Sequence, residues 1–70
     1  MSEKEIVIKE DFIRLDSLMK LSDAVVTGGH AKIVIQNGEV KVNGEVCTMR
    51  GKKLRSGDSV EYERIIYDVK

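Results

Sequence analysis

Val40-Lys41-Val42-Asn43-Gly44-Glu45-Val46 constrains this chain more than any other stretch. Asn-Gly between alternating apolar residues is a strong hairpin signal, because both central residues of the favoured turn take positive φ. The middle of the chain is therefore committed to antiparallel strands. Whatever helices it has must pack on that sheet.

Length limits the rest. Seventy residues make one domain, spanning residues 1–70, with a modest core and marginal stability. With no Trp, one Phe and two Tyr, that core has to be mostly aliphatic. Apolar residues at 41% and charged residues at 34% exclude a disordered chain. Cys47 is the only cysteine, so no internal disulfide can form, which suits a reducing compartment. The first residues, MSEKEIVIKED, lack the basic and then apolar pattern of a secretory leader. No apolar run approaches the roughly 20 residues of a membrane span. The expectation is a soluble, cytoplasmic protein with no membrane partner.

Turn signals divide the chain. Glu5–Lys9 predicts a short strand. Asp11 is a candidate cap for a helix starting near Phe12 or Ile13 and ending near Leu21. Phe12, Leu15, Leu18 and Met19 fall at helical spacing on its apolar side. Residues 31–38, AKIVIQNG, are ambiguous. The β-branched run and Asn-Gly fit a strand, whereas the Ala31, Val34, Ile35 spacing fits a helix stopped by Gly38. Beyond Gly38 the pattern is β. Asn43-Gly44 leads into Glu45–Thr48, and Arg55-Ser56-Gly57-Asp58 is a second turn. Ser59–Tyr62 is a strand, and Ile65–Val69 is a last strand that can pair with the N-terminal one.

The chain holds 12 Lys+Arg and 12 Asp+Glu, yet the charges are unevenly placed. Residues 32–60 carry Lys32, Lys41, Arg50, Lys52, Lys53 and Arg55 against Glu39, Glu45 and Asp58. Residues 1–31 and 61–70 are each net acidic. Arg50, Lys52, Lys53 and Arg55 crowd four cations into six residues. Such a run is either a solvated loop or part of a surface that holds phosphates.

No phosphate-binding loop, Gly-x-Ser-x-Gly, His-Glu-x-x-His or Cys-x-x-Cys pattern occurs. One His and one Cys are too few for a metal site. His30 has no nucleophile or second acid beside it in the pattern. The expectation is a non-enzyme with no cofactor, no metal and no small-molecule substrate.

Arg14-Leu15-Asp16, Ala31, Ile35, Gly38, Val40, Val42-Asn43-Gly44 and Gly57-Asp58 together resemble the RNA-binding domain named after protein S-four of the small ribosomal subunit. The likeness covers about residues 12–62 and is greatest to small stand-alone bacterial members. Those carry Gly-Gly-x-Ala-Lys, here Gly28–Lys32, and Arg-Gly-Lys-Lys-Leu, here Arg50–Leu54. The resemblance implies an α+β fold, the alpha-L type, with two short helices packed on a small, mostly antiparallel sheet. It implies that 29–37 is a helix. It also implies an L-shaped RNA-binding surface made by the helix pair and an adjoining β-loop, with ribosomal RNA or a ribosomal subunit as partner.

On that basis the candidate RNA contacts are Arg14, Lys20, Gly28, Gly29, His30, Lys32, Arg50, Lys52, Lys53 and Arg55. Arg14 stands two residues before Asp16, a spacing that does not bring side chains together on a helix. It is either RNA-facing or paired with a neighbouring element. Many relatives have Ser-Arg where this chain has Gly28-Gly29, so one arginine contact is missing. Gly28, Gly29 and His30 could instead seat an anion at the helix N-terminus. His30 is otherwise a surface residue. Cys47, Tyr62 and Tyr67 read as packing residues. Two alternatives stand beside RNA binding: a protein-interaction adaptor that keeps the fold, and a subunit that delivers RNA to a separate enzyme.

Overall fold

The computed structural model describes residues 2–70. The elements in order are β1 (Ser2–Ile6), β2 (Ile13–Arg14), α1 (Leu15–Leu21), α2 (Gly28–Gln36), β3 (Lys41–Val42), β4 (Glu45–Val46), β5 (Lys53–Leu54), β6 (Ser59–Tyr62) and β7 (Ile65–Val69). A five-stranded sheet runs β1-β7-β6-β3-β4, and β2 pairs with β5 in a separate ribbon. Among the described residues, only the β1–β7 pair is parallel. Parallel neighbours need a long crossover, and here the whole intervening domain supplies it.

The sheet buries one face. Val60 and Tyr62 of β6, and Tyr67 and Val69 of β7, alternate inward. Leu15, Leu18 and Met19 of α1 and Ala31, Val34 and Ile35 of α2 complete the core with Val40, Val42 and Leu54. The core is aliphatic apart from its two tyrosines.

Residues 28–36 are helical despite their β-branched run. Thr27 Oγ1 accepts from the His30 N–H at 3.1 Å and caps the start. Gly38, at φ +79°, ends the helix: its N–H donates to the Ile35 carbonyl and the Glu39 N–H to the Val34 carbonyl. These two hydrogen bonds satisfy two of the last carbonyls. Cap, stop and one buried face outweigh strand propensity.

Two expectations shift. The first strand is Ser2–Ile6 rather than Glu5–Lys9. Its charged residues are tolerated because an edge strand leaves one side to water. Helix α1 starts at Leu15, not near Phe12 or Ile13, and Asp11 does not cap it. Arg14 occupies the N-cap position in extended geometry and makes no side-chain cap bond. The first helical N–H groups find distant partners instead: Leu15 N–H donates to the Lys52 carbonyl at 2.9 Å and Asp16 N–H to the Arg50 carbonyl at 3.0 Å. Loop carbonyls thus satisfy donors that a local cap would otherwise have to meet.

Candidate nucleic-acid interface

Those two hydrogen bonds fix the position of the basic segment. They dock Arg50–Lys52 on the start of α1, and the β2–β5 ladder carries the chain onward, with Arg14 opposite Lys53 and Ile13 opposite Leu54. Leu54 is fully buried while Arg50, Lys52, Lys53 and Arg55 are exposed. The segment is therefore anchored through its backbone and one apolar side chain, which leaves the cations outward.

Phe12 gathers two of them. Lys53 Nζ sits 4.9 Å from the centre of its ring and Arg55 Cζ 5.9 Å from it. Both lie within the range of cation–π attraction. Phe12 is only half-buried and stands outside the core, so its role differs from the helical stripe position its spacing predicts.

Arg14 points into the same neighbourhood. A Cβ on Gly51 would lie 3.6 Å from Arg14 Nη2, so the guanidinium rests beside that glycine. Arg14 Nη2 also meets Asp16 Oδ2 at 3.4 Å. The expected separation of this pair holds for two helical residues, but Arg14 is extended, which turns its side chain back toward Asp16. The contact is long and exposed, so it orients Arg14 more than it stabilises the fold.

Asp58 sets the far end. Its Oδ2 accepts from the Arg55 N–H at 2.7 Å and its Oδ1 from Asn43 Nδ2 at 3.1 Å. The Arg55 N–H first, then the Asn43 amide, hold the Asp58 carboxyl below the usual aspartate range. The turn that presents Arg55 is thereby tied to the β3–β4 hairpin.

The remaining candidates form a second group where α1 meets α2. A Cβ on Gly28 would lie 3.9 Å from Lys20 Cδ, so the Lys20 stem runs past the α2 N-terminus. Lys32 and the His30 side chain are exposed on the first turns of α2. Neither Gly28 nor Gly29 has positive φ, and a Cβ on either would meet nothing closer than 3.9 Å. The His30 N–H is already engaged by Thr27 Oγ1. Arg14 stands at the N-cap of α1 and Lys20 in its last turn.

The tyrosines are unavailable for stacking. Tyr62 and Tyr67 are buried, and burial, reinforced by Glu63, pushes the Tyr62 phenol up to about 12. Cys47 is half-buried against the core just beyond β4, its N–H donating to the Val40 carbonyl. Sequence reasoning missed Phe12 as part of this surface. The signal available was its place as the chain's one phenylalanine, next to a predicted helix start.

Comparison with known proteins bears on the family. The S4 domain family model matches residues 6–70, a wider span than the 12–62 read from motifs. A Bacillus subtilis protein named "Probable ribosome maturation protein RlbA" is 43% identical over 58 residues, covering 83% of this chain and 82% of that protein. An Escherichia coli protein named "Putative RNA-binding protein YbcJ" is 37% identical over 54 residues, 77% of each chain. With the two-helix, mostly antiparallel architecture and these matches together, the chain belongs to the S4 domain family.

Proposed function

We propose that this protein binds structured RNA without catalysing a reaction, and that its target is ribosomal RNA or a ribosomal subunit. The observation that carries this reading is the docking of Arg50–Lys52 on α1 by two backbone hydrogen bonds, with Lys53 and Arg55 held over Phe12. Cations fixed in this way neutralise phosphates and release counterions, with less ordering to be done on binding. Arg14, Arg50, Lys52, Lys53 and Arg55 form one group of contacts. Lys20, Gly28, Gly29, His30 and Lys32 form the other. The family match and the relatives' names support RNA binding in general. A cytoplasmic location goes with such a partner.

The test is binding of the wild type and of a variant with Arg50, Lys52, Lys53 and Arg55 all changed to Glu to a folded ribosomal RNA fragment, at low and moderate salt. Saturable binding that weakens with salt and disappears in the variant supports the proposal. Equal binding by both proteins, or none, contradicts it. An adaptor role has one observation in its favour: Val26 and Ile33 are 89% and 58% exposed at the start and middle of the α2 region.

A further inference from the structure

A groove of about 330 Å³ lies beside the basic segment, lined by Val7, Ile8, Lys9, Glu10, Phe12, Ile13 and Leu21. Its size falls at the small end of the roughly 300–1,000 Å³ typical of ligand pockets. Val7 and Leu21 are 72% and 61% exposed, although both are large and apolar. Phe12 belongs to two features at once: its ring carries Lys53 and Arg55, and it also lines this groove.

We infer that the groove takes one unpaired nucleobase, with the flanking phosphates of the same strand on Lys53 and Arg55. The inference rests on the RNA-binding reading and adds what part of the RNA is held. The charge pattern selects this occupant. An apolar peptide side chain would use the walls but gain nothing from two cations at the groove's aromatic edge. A nucleotide presents a flat apolar face and an anion within one residue, which matches a ring next to an ammonium and a guanidinium. Bases displaced from a helix are held in this way, by stacking on aromatic and aliphatic surfaces, whereas paired bases cannot enter. Lys9 and Glu10 are the polar residues of the lining and offer a donor and an acceptor at its rim.

The experiment compares a hairpin RNA with a single bulged 2-aminopurine and a fully paired hairpin of equal length. The wild type should bind the bulged RNA more tightly, by about tenfold if one base stacks, and change its fluorescence. Leu21→Ser and Val7→Ser alter exposed positions and should keep the fold. Each should reduce the preference severalfold while leaving the paired hairpin's affinity unchanged. Phe12→Leu should abolish the fluorescence change. Equal binding of the two hairpins, or a preference that survives both groove variants, would overturn the base site while leaving RNA binding intact. Binding to neither RNA would overturn the RNA reading and this inference with it. A change confined to self-association of Leu21→Ser would assign the groove to a second copy of the chain and contradict the inference.

Discussion

The Asn43 side-chain amide donates to Asp58 Oδ1 at 3.1 Å across fifteen residues of sequence, and Asn43 Oδ1 accepts from the Ser59 N–H at 3.0 Å. Two turns that look independent in the sequence are thus one assembly. Asn43 opens the β3–β4 hairpin at φ +51°, and Asp58 closes the turn that presents Arg55. Loss of either side chain should destabilise the fold by about 1.5–3 kcal/mol, the range for a hydrogen bond to a charged group. Asn43→Ala, Asp58→Ala and the double variant, unfolded in urea, should show losses that do not add, since both singles break the same bond.

Acid should expose Asp58 separately. Its folded pKa lies below the unfolded value, because the Arg55 N–H and the Asn43 amide favour the carboxylate. Between the two values the unfolded chain binds more protons, so stability rises with pH there. The contribution is complete above the ordinary aspartate range and is lost as pH falls through the lowered folded value. Glu3 works in the opposite sense: hydrogen bonding and repulsion from Asp68 raise its pKa. Its stabilising effect is present below the ordinary glutamate value and disappears as pH rises through the raised one. In a Glu3→Gln background, urea midpoints from pH 6 down to pH 2 should fall less steeply for Asp58→Asn than for Asp58. Identical profiles would contradict this account.

The β6–β7 hairpin turns through Glu63 and Arg64 at φ +51° and +66°. Neither residue favours that region, and both are exposed. Replacement of the pair by Asn-Gly should stabilise the protein by about 1–2 kcal/mol, a rise of several degrees in melting temperature by calorimetry. No gain would mean that the turn is less strained than its angles imply.

Thr27→Ala should cost about 1 kcal/mol by removing the α2 cap, while Thr27→Ser should retain most of the stability. Thermal melts of the two variants side by side make the comparison. A similar loss in both would place the effect in the Thr27 methyl and not in its hydroxyl.

Local chemistry made much of this molecule legible before its structure. Asn43-Gly44 and Gly57-Asp58 announce turns because few other residues fit them, and Leu15, Leu18 and Met19 show their shared face by spacing. What sequence could not show was contact between distant parts. The start of α1 is set by carbonyls of Arg50 and Lys52, more than thirty residues away, whereas local capping rules point to Asp11. Phe12 looks like another helical core residue because its cations arrive from β5 and the turn after it. Residues 31–38 lean towards strand by propensity; the family resemblance implies the helix, and the cap at Thr27 and the stop at Gly38 hold it there. The Glu63-Arg64 turn carries no Gly or Asn to mark it.

The proposed function requires the anchored cations to act together on phosphates. The most direct measurement is the dependence of RNA affinity on salt for the wild type, Lys52→Gln and Lys53→Gln. Each lysine that contacts a phosphate should reduce the slope of log K against log salt by about 1, with far-UV circular dichroism unchanged. Wild-type affinity that is indifferent to salt, or slopes that are the same in all three proteins, would contradict the claim and leave the segment as a solvated loop.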